Sequence, residues 1–227
     1  GENVMAEKNR GKRLVKYVPD YVIFDLETTG INPAADEIIE ISAVRVKERA
    51  VVDTFSTLVN PGCPIPWQAT QVNGITDEMV REAPQIKEAL SDFFAYTKDF
   101  VLVGHNIQSF DLKFIQEKAK NLFGRTVDND YIDTLYMARQ CLPQLAHHKL
   151  TDVASYFRIS IEGAHRALND CIMNLKCYEK LGELQESIHI DLCPKCGGEL
   201  KRRNGKFGEF LGCSNFPECR YTAQIRK

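Results

Sequence analysis

The sequence lacks any apolar stretch long enough to cross a membrane, and its basic beginning lacks the apolar segment of a secretory signal. We therefore expect a cytoplasmic protein that has no membrane partner. The sequence also lacks internal repeats and low-complexity segments. Its 227 residues are 44% hydrophobic and 26% charged, which predicts one full hydrophobic core plus a small appendix.

The net charge of -2 is small but unevenly distributed. Residues 1–20 hold five basic and three acidic side chains, and residues 189–227 hold eight and four, so the middle of the chain is acidic. A basic tail on an acidic body favours a polyanionic partner beside a metal-binding centre, although solvated charged surfaces have the same composition. Four of the eight cysteines follow residue 192, and in a reducing compartment such a cluster indicates metal rather than disulfides.

The stretch YVIFDLETTG at residues 21–30 is an apolar run that ends in two acids, two threonines and a glycine. The run predicts a buried strand. Asp25 and Glu27 are two residues apart, so a strand places both carboxylates on one face. Neighbouring carboxylates repel each other unless a cation lies between them. The pair predicts either a divalent metal site or simply polar residues at the point where a strand passes into a loop.

The pattern along the chain predicts an α/β fold. Alternating or continuous apolar runs predict strands, and apolar stripes at three- and four-residue spacing predict helices. The predicted strands cover residues 22–24, 37–46, 51–59, 100–104 and 131–133, and the helical stripes cover 86–94, 110–122, 135–141 and 168–181. Three consecutive strands followed by alternating helices and strands predict a mixed sheet with helices on its faces. We expect a flexible basic arm at residues 1–19 and a linker at 186–192.

Two further acids and a histidine accompany the first pair. Asp111 falls at a helix start, where negative charge is favourable without any metal. Asp170 lies at the edge of the last apolar stripe, where an acid needs a partner or a metal. His165 precedes Asp170 by five residues, about 140° around a helix, so the two cannot share a helix face. We therefore expect His165 at the helix start or on the preceding loop. There it is either free to approach the metal centre or an ordinary surface or core histidine with other partners.

Three motifs resemble, in order and spacing, those of the DEDDh 3′→5′ exonucleases: Asp25-Leu26-Glu27, residues 106–111 (N-x3-F-D) and residues 165–170 (H-x-A-x-x-D). The family includes the proofreading subunit of bacterial replicative polymerase, ribonuclease T and oligoribonuclease. The resemblance implies a ribonuclease H-like domain over residues 20–185, with a mixed five-stranded sheet and flanking helices.

The resemblance also implies the chemistry. Two Mg2+ or Mn2+ ions about 4 Å apart would activate water and stabilise the leaving oxygen of a phosphodiester. Asp25, Glu27 and Asp170 would hold one ion, Asp25 would bridge to the second, and Asp111 would support that second ion. His165 would be the general base, because an imidazole titrates near neutrality.

Substrate contacts implied by the resemblance are Thr28, Gly30, Ile31, Asn106 and Phe110. Ile31 would wedge against the terminal base and Phe110 would stack. Each has a structural alternative: Gly30 makes the turn, Phe110 fills the core and Asn106 binds backbone. Relatives of the polymerase subunit often have histidine where this sequence has Asn73, and Asp133-Thr134 is expected to cap a helix.

The C-terminal cysteines have the spacing C-x2-C-x16-C-x5-C. This spacing predicts a zinc ribbon at residues 193–227 in which one structural Zn2+ is bound by four thiolates: Cys193, Cys196, Cys213 and Cys219. The metal would supply the folding energy of so short a segment. The ribbon resembles the zinc fingers of type IA topoisomerases, which bind single-stranded DNA. Its basic residues and Phe207, Phe210, Phe216 and Tyr221 suit phosphate contacts and base stacking, unless the rings form the ribbon's core.

The sequence as a whole predicts a metal-dependent 3′→5′ exonuclease that captures single strands with its ribbon and releases nucleoside 5′-monophosphates. DNA is favoured as the substrate by analogy with the topoisomerase ribbon. Two alternatives are an exoribonuclease and a non-catalytic nucleic-acid-binding module. A DNA polymerase or a helicase is the candidate protein partner.

Overall fold

The computed structural model describes residues 11–160, 162 and 165–225. The five strands of its central sheet are β1 (Tyr21–Thr28), β2 (Ile38–Lys47), β3 (Ala50–Leu58), β4 (Val101–Gly104) and β5 (Tyr131–Asp133). Their order in the sheet is β3-β2-β1-β4-β5. β1 and β3 are antiparallel to β2, whereas β1, β4 and β5 run parallel. The predicted mixed five-stranded sheet is confirmed.

Helices cover both faces of this sheet. They are α1 (Trp67–Asn73), α2 (Asp77–Val80), α3 (Ile86–Thr97), α4 (Asp111–Phe123), α5 (Thr134–Cys141), α6 (Leu150–Tyr156) and α7 (Ala167–Gln185). The longest helix, α7, packs against β1 and β2. The parallel strands are joined by helices because a parallel connection must cross back over the sheet.

Alternation along β1 divides the core into two layers. Val22 and Phe24 pack with α3 and α4, whereas Tyr21 and Ile23 pack with α5, α6 and α7. Successive side chains of a strand point to opposite faces, so the odd-numbered residues of β1 share the α7 face. The next odd-numbered residues are acids. The sheet therefore directs two carboxylates toward the beginning of α7.

The predicted arm at residues 1–19 requires a correction. Residues 1–10 lie outside the described part of the chain, but residues 12–18 pack on the nuclease domain. Leu14 donates its N–H to the carbonyl of Tyr131 at 2.8 Å, which extends the pairing beside β5. Val15 is buried, and the N–H of Val18 donates to the Tyr178 hydroxyl at 2.9 Å. The basic residues of this segment suggested a solvated arm. Burial of its apolar side chains instead holds it on the domain.

The C-terminal segment forms a separate three-stranded sheet. Its antiparallel strands are β6 (Leu200–Gly205), β7 (Gly208–Cys213) and β8 (Thr222–Gln224), in that order. Leu192, which we assigned to the linker, already pairs with Glu199. Within the described residues, no helix combines the length and apolarity needed to cross a membrane.

Candidate active site and cysteine cluster

Three carboxylates converge where β1 ends against the start of α7. Asp25 and Glu27 come from the α7 face of β1, and Asp170 lies in the first turn of α7. One ligand oxygen from each lies within 4.8 Å of the others. Three of the four acids that the sequence singled out are therefore brought together by packing of the last helix on the first strand.

Asp111 reaches the same end of β1 from the opposite layer. It is buried in the first turn of α4, and its Oδ1 accepts the N–H of Leu26 at 3.1 Å. Leu26 lies between Asp25 and Glu27, so this bond ties α4 to the pair of acids. The helix N-terminus alone favours an acid at this position, but its hydrogen bond to β1 places the charge beside the cluster.

The pKa values of the four carboxyl groups are raised. Burial, followed by the charges of Asp111 and Glu27, raises the pKa of Asp25 well above its ordinary value. Burial, followed by the charge of Asp170, raises the pKa of Glu27 to about 8. Burial also raises the pKa of Asp111 and of Asp170. Adjacent carboxylates that resist ionisation are strongly stabilised by a cation placed between them.

The donor set fits a hard divalent cation. The cluster contains carboxylate oxygens, which Mg2+ and Mn2+ prefer; Asp25 and Glu27 of β1 meet Asp170 of α7, and Asp111 of α4 is bonded to the strand between the two acids of β1. The raised pKa values show that the ionised carboxylates are unstable when they lie together without a cation. A divalent cation would stabilise these ionised forms.

Glu40 is a fifth acid that sequence analysis missed. It lies opposite Glu27 on β2 and is only 4% exposed. Its carboxylate accepts from Arg166 Nη2 at 2.9 Å and from the N–H of Ala167 at 3.2 Å. The sequence did carry a signal for it, because Glu40 lies between Ile39 and Ile41 inside the strand predicted at residues 37–46. Glu40 therefore adds charge to the cluster, and the guanidinium of Arg166 balances it.

His165 lies on the segment that leads into α7, as predicted. Its N–H donates to Oδ2 of Asp170 at 3.1 Å, and its side chain is exposed. Its φ of 70° is left-handed, which is uncommon for a residue with a side chain. Arg166 and Ala167, which follow it, are held by Glu40. The backbone of His165 is thus fixed beside the carboxylates.

The predicted substrate contacts on the β1 side have two different environments. Ile31 is 85% exposed and can meet a ligand. A Cβ at Gly30 would lie 2.4 Å from Oδ2 of Asp36, so a larger residue there would displace that carboxylate. The hydroxyl of Thr28 donates to the carbonyl of Gly30 at 2.6 Å and so stiffens the same turn. Ile31 follows this turn directly, four residues after Glu27 in the chain.

The contacts predicted from the second motif lie on the loop between β4 and α4. Asn106 has a left-handed φ of 60°, and its N–H donates to Oδ1 of Asp133 at 2.9 Å. Phe110 is partly buried and packs on Phe114, with 5.1 Å between ring centroids. Asp133 caps α5 through the N–H of Leu135, as we expected. The roles of Asn106 and Phe110 toward a substrate stay predictions.

Asn73 belongs to the site although the sequence identified it only as a departure from relatives. It is buried, and its side chain forms a hydrogen bond with Glu27 that opposes the rise in the pKa of that carboxyl. Its Oδ1 also accepts the N–H of Ile75 at 3.0 Å. Asn73 therefore couples the end of α1 to the acids of β1.

The four C-terminal cysteines form a second cluster. Their sulfurs lie within 4.8 Å of one another, with 3.7 Å between Cys193 and Cys219 and 3.4 Å between Cys196 and Cys213. Four thiolates at Zn–S distances of about 2.3 Å in a tetrahedron have sulfurs about 3.8 Å apart. The donor set and its spacing fit a structural zinc ion. Tyr221 packs on this cluster, so it belongs to the small core rather than to a stacking surface.

The strand order and the acids at the ends of β1, α4 and α7 define the class of ribonuclease H-like nucleases. The chain belongs to the exonuclease family: the family model described as Exonuclease matches residues 22–178. A second model, described as topoisomerase DNA binding C4 zinc finger, matches residues 190–227. Both resemblances seen in the sequence are confirmed.

Curated relatives of the chain include DNA polymerase III proteins. The chain is 40% identical over 184 residues to a DNA polymerase III PolC-type from Caldanaerobacter subterraneus, covering 81% of this chain but 13% of the relative. It is 36% identical over 163 residues to DNA polymerase III subunit epsilon from Aquifex aeolicus, covering 72% and 80% of the two chains. The chain thus spans only a small part of the PolC-type relatives.

Solved structures share the fold. E. coli Exonuclease I in complex with a dT13 oligonucleotide superimposes with a TM-score of 0.69 at 18% identity, covering 89% of this chain and 54% of that one. Exonuclease X in complex with 5′ overhanging duplex DNA has a TM-score of 0.56 at 25% identity, covering 74% and 92%.

Proposed function

We propose that this protein is a metal-dependent 3′→5′ exonuclease that shortens single-stranded DNA and releases nucleoside 5′-monophosphates. The observation that carries the proposal is the convergence of Asp25, Glu27 and Asp170, with Asp111 bound to the same strand, in a chain of the exonuclease family. A structural role does not explain four carboxylates grouped at the end of the central strand, because each destabilises the charged forms of the others.

Each residue of the cluster has a distinct role in the proposed mechanism. Two Mg2+ or Mn2+ ions, held by Asp25, Glu27 and Asp170 with support from Asp111, would supply positive charge for the attacking and leaving oxygens. His165 accepts the proton of the attacking water through its exposed imidazole. The bond from its N–H to Asp170 keeps that base beside the carboxylates. Glu40 holds the residues that follow His165 and so limits movement of the base.

Several observations favour a DNA substrate. Relatives are DNA polymerases, and the ribbon matches a model described as topoisomerase DNA binding. The exposed Ile31 can wedge against a terminal base, while Asn106 and Phe110 lie on the loop that leads into Asp111 at the start of α4. We also infer association with a DNA polymerase, and a cytoplasmic location, from the bacterial polymerases to which the chain is similar.

The proposal is tested with 5′-labelled single-stranded DNA and RNA of the same sequence, each with Mg2+ or Mn2+ and with EDTA as the control. We expect a metal-dependent ladder that shortens from the 3′ end on DNA. A ladder chiefly on RNA would replace the proposal with an exoribonuclease, because the 2′-hydroxyl would then be recognised. Absence of cleavage on both strands would favour a binding module.

A further inference from the structure

The ribbon is held against the nuclease domain by side chains of both. The hydroxyl of Tyr136 on α5 donates to the carboxylate of Glu199. Lys201 Nζ lies 4.8 Å from the centre of the Tyr136 ring and 3.3 Å from Oε2 of Glu199. These contacts bind the beginning of the ribbon's hairpin to α5, so the ribbon has a defined position on the domain.

Arg13 is the centre of this contact. Its guanidinium donates to Oδ1 of Asn215 at 3.0 Å, to the carbonyl of Ser214 at 2.9 Å and to Oε1 of Gln108 at 3.0 Å. The same group lies 4.2 Å from the centre of the Tyr136 ring. Arginine provides a planar fork with several donors, which suits a site where three acceptors and a ring must be held together.

The residues that Arg13 contacts are themselves bonded to residues near the two clusters, Asn215 to the cysteines and Gln108 to a neighbour of the carboxylates. On the ribbon side, the backbone N–H of Asn215 donates to Sγ of Cys213 at 3.4 Å, and its Nδ2 donates to Sγ of Cys196 at 3.5 Å. On the nuclease side, the N–H of Gln108 donates to Oδ2 of Asp133 at 3.2 Å. Gln108 lies on the loop between β4 and α4, which leads directly to Asp111.

A basic cavity is lined by residues that are close in the chain to those of this contact. It has a volume of about 480 Å3, and its lining includes Asn106 on the same loop as Gln108, Arg139 on the same helix as Tyr136, and Lys149. On the ribbon, Phe216 directly follows Asn215 and is exposed. Positive charge next to exposed aromatic rings is the combination that single strands bind.

The hairpin of the ribbon points away from the contact. Glu199 and Lys201 lie at its base, and Gly205 pairs with Gly208 at its tip. Phe207 at the tip is 98% exposed, with Lys206 Nζ 5.8 Å from its ring centre. A strand of six residues spans about 20 Å, so Phe207 at the tip and Phe216, next to Asn215 at the contact, are two separated exposed rings on the ribbon.

We propose that Arg13 is a positioning residue that docks the ribbon against the loop carrying Asn106 and Phe110, so that a single strand can run from the ribbon past the basic cavity to the carboxylate cluster. The proposal rests on the proposed exonuclease function. It predicts that the ribbon delivers long strands only while it is docked, because a freely tethered ribbon would not hold its exposed rings in line with the carboxylate cluster.

The test compares Arg13→Ala with Lys12→Ala in the full chain. Lys12 is the neighbouring basic residue, is exposed and contacts the domain through its backbone, so it controls for loss of charge. We expect Arg13→Ala to raise the KM for a long single strand about tenfold, with much less effect on a dinucleotide. Lys12→Ala should change neither by more than about twofold. Equal behaviour of the two variants would overturn the proposal.

Amide hydrogen exchange provides a second readout that does not depend on activity. Arg13→Ala should increase exchange in residues 105–110 and 199–215, while Arg13→Lys, which keeps the charge but loses the fork, should increase it less. If the wild-type chain cleaves no strand, the exonuclease proposal fails. Exchange in these two segments then still decides the docking: increased exchange supports it, and unchanged exchange overturns it.

Discussion

The carboxylate cluster and the cysteine cluster relate to their surroundings in opposite ways. The carboxylates lie at the edge of a large core whose two layers, built around Phe24 and Ile23, are complete without any ion. The ribbon's buried cluster consists of Cys193, Cys213 and Cys219 themselves. The nuclease domain therefore places repelling carboxylates where a cation would stabilise them, whereas in the ribbon a bound Zn2+ would itself supply much of the folding energy. Substitutions in one cluster should alter chemistry, and substitutions in the other should alter structure.

The largest expected effect is on catalysis at the carboxylate cluster. Asp25→Ala should lower the hydrolysis rate of single-stranded DNA at least about a thousandfold, because it removes the carboxylate that would bridge both ions. The variant should fold normally, since it relieves repulsion with Glu27 and Asp111. Rates and thermal melting measured in parallel check both statements. Asp128→Ala, at an exposed acid, is the control, and unchanged turnover in Asp25→Ala would contradict the metal assignment.

The second effect is structural and confined to the ribbon. Cys219→Ser should lower the bound zinc and remove amide-exchange protection from residues 191–225, while β1 to β5 stay protected. Exchange measured by mass spectrometry and zinc measured by a colorimetric chelator test this. Cys63→Ser is the matched control, because Cys63 is exposed and lies outside the cluster. Retained protection in the ribbon of Cys219→Ser would show that the segment folds without all four ligands.

The third effect is a pH dependence of stability in the absence of divalent cations. The pKa of Glu27 is raised to about 8 from an ordinary 4.5, so the folded state binds more protons than the unfolded state between those values. The free energy of unfolding must then fall as pH rises through this window. With EDTA present, we expect a melting temperature several degrees lower near pH 8 than near pH 5.

Two comparisons sharpen this pH prediction. Mg2+ or Mn2+ should restore the melting temperature near pH 8 much more than near pH 5, because ions bind the ionised cluster. Glu27→Gln should flatten the dependence. A melting temperature that rises with pH in EDTA would contradict the raised pKa of Glu27.

The smallest effect concerns the ion pair that supports the cluster. Arg166→Ala leaves the carboxylate of Glu40 buried without its guanidinium, which should lower the free energy of unfolding by about 1–3 kcal/mol. Adding Glu40→Gln should recover part of that loss, because no charge is then left unpaired. Lys180→Ala breaks the exposed pair with Glu183 and should cost less than about 0.5 kcal/mol. Denaturant unfolding distinguishes these values, and equal losses in the two single variants would contradict a supporting role for Glu40.

Local patterns were sufficient for much of the fold and for the ligand sets. An apolar run ending in Asp25 and Glu27 predicted both the central strand and its paired acids, because alternation in a strand is a local property. Cysteine spacing predicted the ribbon, since four soft ligands in a short segment leave few other arrangements. The position of His165 before α7 followed from helical periodicity alone.

Other features needed the tertiary structure because they depend on contacts between residues far apart in the chain. Glu40 joins the cluster only because β2 pairs with β1 and places it opposite Glu27. The segment around Arg13 is basic and looks solvated in sequence, yet it packs beside β5 and reaches Asn215.

The sequence by itself determined which residues can bind metal and which strands and helices carry them, because donor type and local periodicity depend only on residues that are close in the chain. Only the tertiary structure decided how many charges meet at the end of β1, how they are balanced, and where the ribbon lies on the nuclease domain. These outcomes depend on burial and on long-range pairing, through which Glu40 meets Arg166 and Arg13 meets Asn215.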